Sequence, residues 1–237
     1  MHGKQVRVYL DGRNVSSNIS QVTTDLDVDV HDVTTFASSG WKESTSGLYG
    51  WTGSIEGFHD SSSTGFTDQI QDAVGGAGSG DAVLSWFDGD ADGVGDVGFL
   101  GSEAVITQMA TPISVADIIK LTANFQGNGR AGPGARLLHP LSSSTAGSSG
   151  ASVDNLVETA NGGRGTLHVM AVTGAWPWRV THSSDDTSFA ALVTFTNSSS
   201  TGAETIEVTG TVKRYLRYSL ATSSAGVTDW VMGFARY

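Results

Sequence analysis

Apolar and polar side chains alternate with a period of two over most of the chain, the spacing that sends successive residues to opposite faces of a strand. This pattern predicts strands at Val6/Val8/Leu10, Leu26/Val28/Val30, Val83/Ser85/Phe87 and Ile118 to Phe125. It returns at Leu167/Val169/Ala171, Phe189 to Phe195, Ile206/Val208, Leu216/Tyr218/Leu220 and Trp230/Met232/Phe234. One stretch departs from it. Phe66, Ile70, Ala73 and Val74 stand at helical spacing, which predicts a short helix capped by Thr64 or Thr67, stopped by Gly75 and packed on a sheet. Between the two groups of strands, Ser142-Ser143-Ser144-Thr145-Ala146-Gly147-Ser148-Ser149-Gly150 has nothing to bury and reads as part of a linker over 139–151. The expectation is a mainly β chain: a sandwich or barrel-like domain with one short helix over 1–138, then a smaller all-β sandwich over 152–237. Neither the helix nor DVTTFASSGW has a counterpart in the second half, so the halves are not a visible duplication.

Composition narrows the chemistry. The 237 residues can form one large or two modest domains. With 31 glycines, 4 prolines and 16% charged residues, they suit loop-rich β structure rather than a coiled coil, collagen or a solvated tail. The absence of cysteine removes disulfides, thiolate metal sites and a cysteine nucleophile. No apolar run is long enough to span a bilayer, and MHGKQVRVYL lacks the plan of a secretory leader, so no membrane partner is expected. Charge is unevenly divided: 17 acidic against 7 basic residues through Pro140, net −10, and 7 against 6 thereafter, net −1. Such acidity repels phosphate and disfavours a protein that grips nucleic acid.

The candidate motifs each lack part of their context. Asp88, Asp90, Asp92 and Asp96 follow the opening of an EF-hand loop, in which alternate carboxylates wrap a hard cation. The twelfth position is Phe99 rather than glutamate, and the flanks look like strands, so a solvated acidic turn and a structural calcium site both stand open. Gly127-Asn128-Gly129-Arg130-Ala131-Gly132 spells G-x-G-x-x-G, but Pro133 and Gly134 follow where a helix should hold a pyrophosphate; a mobile interdomain segment is expected, and no cofactor. The histidines are scattered, His168 being expected on a solvent or interface face, and no nucleophile elbow occurs. No catalytic residues are assigned and no enzyme is expected.

Two features stand out from this background. In Asp25-Leu26-Asp27-Val28-Asp29-Val30, strict alternation puts three carboxylates on one strand face, about 7 Å apart, and three apolar side chains on the other, expected to pack into the core. Asp32 to Leu48 then carries Phe36 and Trp41 among small polar residues without any period, as a contact loop does.

The opening strand with its Asp/Gly turn (Val6–Asp11), Asp32-Val33-Thr34-Thr35-Phe36-Ala37-Ser38-Ser39-Gly40, Gly47-Leu48 and Gly57-Phe58-His59-Asp60 together resemble the major tail tube proteins of long-tailed, non-contractile bacteriophages. The resemblance covers about residues 5–138. It implies a virion tail protein, assembled in the host cytoplasm, whose rings of usually six copies stack into the tube that carries DNA from capsid to host. It implies as partners further copies of itself, other tail proteins, the tape measure protein and passing DNA that is not tightly bound. In that family the loop after the second strand reaches the adjacent ring, which assigns inter-ring contact to Thr34, Thr35, Phe36, Trp41, Leu48 and Tyr49. For a tube, Asp25, Asp27 and Asp29 are expected to face the lumen. Gly165 to Val169, Thr181 to Asp185, Phe189 to Phe195 and Gly210 to Arg217 are similar to appended C-terminal domains of some tail proteins, implying a decoration on the exterior. The alternatives are a capsid decoration protein, or a carbohydrate-binding sandwich using Trp41, Trp51, Trp176 or Trp178 as sugar platforms.

Overall fold

The computed structural model describes residues 5–60, 62, 65–75, 81–89, 93–113, 117–144, 147–196, 199–220 and 228–237. The first part comprises β1 (Arg7–Leu10), β2 (Arg13–Asn14), β3 (Ile19–Asp32), β4 (Ser44–Phe58), α1 (Phe66–Gly75), β5 (Asp81–Phe87), β6 (Val97–Ala110), β7 (Lys120–Gly127) and β8 (Gly132–Ser144). The second comprises β9 (Ser148–Ser149), β10 (Val153–Asp154), β11 (Gly163–Val172), β12 (Trp178–Ser183), β13 (Ala190–Thr194), β14 (Gly202–Val208), β15 (Tyr215–Leu220) and β16 (Thr228–Arg236). The protein is mainly β, as the period-two pattern requires, with its described helix short and laid against β6.

One antiparallel sheet of 11 strands runs through both parts in the order β14-β11-β16-β8-β6-β5-β1-β2. β6 is its branch point: Val97 to Leu100 pair with β8, and Ala104 to Ala110 pair with β7, which continues the branch to β4 and β3. A 5-stranded sheet, β10-β15-β12-β13 with β9 beside β15, covers the far side of the second part.

The serine run expected as a linker is largely strand. Ser142, Ser143 and Ser144 pair with Trp230, Asp229 and Thr228, and Ser148 and Ser149 pair with Leu220 and Ser219. Thr145 and Ala146 lie outside the described residues. A ladder satisfies backbone groups whatever the side chain, and here the partner strand brings the apolar bulk: Trp230 is buried and donates its indole N–H to Ser144 Oγ at 3.1 Å.

Among the described residues three buried clusters follow from this layout. Trp51, Ile55, Phe66, Ile70 and Phe125 anchor the first part; Trp176, Trp178, Trp230 and Phe234 anchor the second. The third draws from both, joining Tyr9, Phe87 and Leu100 to Leu137, Val231 and Ala235. Phe66 and Ile70 sit on the buried helix face as their spacing predicts. Thr67 is not a cap: it lies inside α1, buried, and its Oγ1 accepts from the Asp60 N–H at 3.0 Å. Thr64 and the side chains of Ala73 and Val74 fall outside the described residues.

His168 corrects a simpler expectation. It is 1% exposed, between the two parts, because its face of β11 lies on β5 and on the β1–β2 turn. That turn is the two-residue Asp11-Gly12, with positive φ at both positions, the geometry that matches strand twist in tight hairpins. The Gly12 N–H donates to His168 Nδ1 at 3.2 Å, so the ring proton sits on Nε2 and points to Ser85 Oγ at 3.0 Å. Burial pulls His168 down to about 3.

Candidate functional site: the projecting hairpin

β3 and β4 form a hairpin that outruns the core. From Phe58 back to Trp51 the strand β4 alternates buried with exposed residues, while Ser44 to Tyr49 bury nothing fully. β7, the other partner of β4, ends opposite Thr52, so beyond Trp51 β4 pairs, among the described residues, with β3 alone. The last strand turns of the hairpin therefore extend about 20 Å past the sheet that supports them. Trp51 is the last anchor, its indole N–H bonded to Ser102 Oγ at 2.9 Å. Gly127 makes room for it: a Cβ there would lie 1.9 Å from Trp51 Nε1.

This geometry corrects the expected role of Leu26, Val28 and Val30, which do not enter the core. They are exposed, at 55%, 38% and 65%. Leu26 is opposite Trp51 and Val28 opposite Tyr49, so the apolar row continues the core face outward into solvent. Asp25, Asp27 and Asp29 occupy the opposite face, also exposed, with no ion pair among the described residues. Among the described residues β3 pairs with β4 alone, which makes it a 14-residue edge strand. Charges are one way such edges resist indiscriminate pairing.

The segment assigned to contact is part strand, part loop. Leu48 and Tyr49 belong to β4, at 81% and 80% exposure, and only 33–43 is the connection. That connection is tied internally. Thr34 Oγ1 accepts from the Glu43 N–H at 2.8 Å, the Thr35 N–H donates to Ser38 Oγ at 2.9 Å, and Lys42 pairs with Asp32 at 3.4 Å. The Thr34 hydroxyl and N–H hold Asp32 below the usual carboxylate range, with Lys42 adding to it. Ser39 and Gly40 carry positive φ at the turn. Phe36 and Trp41 are left pointing into solvent, although both are large and apolar.

Other expected sites are not assembled. Trp51, Trp176 and Trp178 are buried, which overturns their use as sugar platforms and leaves Trp41 alone of the four exposed. Of the acidic motif, Asp90 and Asp92 lie outside the described residues; Asp88 and Asp96 flank the β5–β6 turn, where Gly89 has positive φ beside the Asp96 carboxylate. Among the described residues no group of three or more His, Asp and Glu is placed to hold a metal. Gly127 to Gly132 is the bend from β7 into β8. It is pinned by the Asn128 N–H to Glu103 O at 2.7 Å and by Arg130 stacked 3.5 Å over Tyr237, and is not a free interdomain segment. No described helix is long and apolar enough to cross a membrane.

The sequence reading missed the solvent-facing apolar row, though a signal existed. A core strand needs an alternating partner, and STSGLYG places Leu48 and Tyr49 side by side instead. It also missed a groove of about 980 Å³ beneath the hairpin, lined by Leu26, Val28, Tyr49, Arg130, Pro133 and Arg236 among others. No local pattern announces that cleft, because its walls come from three distant segments.

No family model matches the chain, and no curated protein matches it. Among solved structures it is similar to the tail of an empty gene transfer agent particle with C6 symmetry, at 17% identity over 56% of this chain and 98% of that one, with a TM-score of 0.44. It is similar to the SPP1 tail tube at 11% identity, over 54% of this chain and 76% of that one, with a TM-score of 0.44. It is also similar to the SPP1 Dit protein, described as a hub adsorption apparatus of phages infecting Gram-positive hosts, at 12% identity over 98% and 99% of the chains, with a TM-score of 0.34.

Proposed function

We propose that this protein is a non-catalytic structural subunit of a phage tail tube, polymerising with copies of itself into stacked rings of about six. The observation that carries this reading is the projecting hairpin. A chain that leaves Leu26, Val28, Val30, Phe36, Trp41, Leu48 and Tyr49 uncovered on one internally bonded arm has built a surface for burial against another protein. Burying Phe36 and Trp41 between rings would contribute about 1.5–3 kcal/mol each. The resemblance of Asp32–Gly40 and its flanks to tail tube proteins points the same way.

On this reading Asp25, Asp27 and Asp29 face the lumen. Lysine or arginine there would contact phosphates, release counterions and hold the DNA; carboxylates keep a passing duplex off the wall. At physiological salt the screening length is about 8 Å, so the lining acts at close range and centres the duplex. The second sandwich lies outside, and the tape measure protein and other tail proteins are the remaining partners.

Electron microscopy of the purified protein tests the reading. Rings or tubes are expected; a protein that stays monomeric at high concentration and in the presence of tail partners would overturn it.

A further inference from the structure

The outer face of the five-stranded sheet carries two arginines side by side. Alternation puts them there: Trp178 and Val180 on β12, and Leu216 and Leu220 on β15, are buried in the core of the second part, so Arg179 and Arg217 point the other way. Arg179 is opposite Ser219 and Arg217 opposite Thr181, which makes the two arginines diagonal neighbours about 7–8 Å apart on one face. Each is half-buried, with a buried Nε that lacks a hydrogen-bond partner; unlike Arg236, neither has a buried unpartnered Nη, so both forks end at the surface. Neither makes an ion pair among the described residues.

The carboxylates nearest to them are already engaged. β9, β12, β13 and β15 contain no acidic residue, and the sheet's one aspartate, Asp154, gives both its oxygens to Arg214, at 2.7 and 2.6 Å. Asp185, in the β12–β13 connection, accepts from Ser183 Oγ at 2.7 Å and from the Thr187 and Ser188 N–H groups at 3.0 and 2.9 Å, and Asp186 beside it makes no ion pair among the described residues. The aromatic rings are covered too. Arg217 Cζ lies 3.7 Å over Phe189, and Arg214 Cζ lies 4.9 Å over Tyr215. What the face leaves open is the two guanidinium forks, with the hydroxyl side chains of Thr194, opposite Arg179, and of Ser219 and Ser149, opposite one another.

This chemistry selects a ligand. A carboxylate is satisfied by one fork, as Asp154 is by Arg214; two forks on adjacent strands suit an anion with more oxygens, a phosphoryl group. Covered rings offer no platform on which a base can stack, which sets single-stranded nucleic acid aside. We infer that the outer face of the five-stranded sheet binds a polyol phosphate polymer, its phosphodiester groups held by Arg179 and Arg217 and its polyol oxygens by Ser149, Thr194 and Ser219. The site lies within one chain and does not depend on the tail reading; stacked copies would repeat it and raise the avidity for a long polymer.

Binding of the full chain to immobilised poly(glycerol phosphate) tests this, with polygalacturonate and single-stranded DNA as the carboxylate and nucleic-acid controls. The wild type should bind poly(glycerol phosphate) at low salt, lose it at high salt, and bind the two controls at least about tenfold more weakly. Arg179→Gln and Arg217→Gln should each weaken binding about tenfold with Tm unchanged, and the double variant should abolish it. Should a Gln variant fail to fold, Arg→Lys at that position keeps the charge and the stem but not the planar fork, and is expected to weaken binding several-fold. No binding by the wild type, binding that survives either substitution, or equal binding of polygalacturonate or DNA would overturn the inference, and none of these outcomes bears on whether the protein forms rings or tubes.

Discussion

Lowering the pH from 7 to 5 should weaken the junction between the two parts of the fold, and His168 should account for much of the loss. The buried imidazole accepts a hydrogen bond from the Gly12 N–H on Nδ1. Protonating that nitrogen would set two donors against each other and place a charge in a site that burial keeps from water. Burial holds His168 down to about 3 and His139 down to about 4, the latter wedged between Trp230 and Tyr218, whereas both titrate near 6.5 once unfolded. The unfolded chain thus binds more protons over this interval, so stability is complete above pH 6.5 and is lost as pH falls toward the folded values. At pH 5 each histidine costs about 2 kcal/mol. Asp11, on the same turn, acts in the opposite direction. Burial raises it to about 6 despite its bond from the Val83 N–H, so protonation between pH 7 and 5 returns about 1 kcal/mol. The net loss is about 2–3 kcal/mol, or a fall in Tm of about 5–10 °C for a chain of this size. His182, also lowered by burial, adds in the same direction. The carboxylates held low, Asp32, Asp60, Asp154 and Asp185, lose their contribution only below about pH 4 and do not enter. Urea unfolding of the wild type and of His168→Gln at pH 7, 6 and 5 measures this, the variant being expected to lose about one proton's worth of slope. An identical slope in the variant would refute the argument.

Phe36→Ala combined with Trp41→Ala should leave a folded subunit, since neither side chain touches the core, but sedimentation should show that it no longer polymerises. Gly127→Ala should destabilise by about 3 kcal/mol in thermal or urea unfolding, because the added methyl meets the Trp51 indole ring rather than a flexible chain end. Replacing Asp25, Asp27 and Asp29 by Lys should permit tubes that retain DNA at low salt and release it at high salt, with the Asn variant between; DNA retention independent of salt and of the substitution would count against a lumenal comb. A chain ended after residue 138 should expose Leu100, Ala135 and Leu137, which β16 otherwise covers, and should bind a hydrophobic dye instead of folding to a stable domain.

Alternation by itself determined that this chain is β, and it located most strands, because period two is imposed by the pleat and survives whatever the sheet packs against. Phe66 and Ile70 announced the helix for the same reason, at the helical period. The Asp11-Gly12 turn was legible too, since few residues other than Gly and Asp accept positive φ. What alternation could not determine is whether an apolar face has a neighbour. Leu26/Val28/Val30 and Val83/Phe87 read alike, yet the first row is solvent-exposed and Phe87 is buried, because Phe87 packs into a cluster with Tyr9, Leu137, Val231 and Ala235 drawn from both parts, while β3 and β4 run on past the end of β7. The serine run misled in the opposite direction: small polar side chains looked like a tether until β16 supplied a ladder for their backbone. His168 and the Arg236 groove were decided only when residues more than a hundred positions apart came together, through contacts that no local pattern encodes.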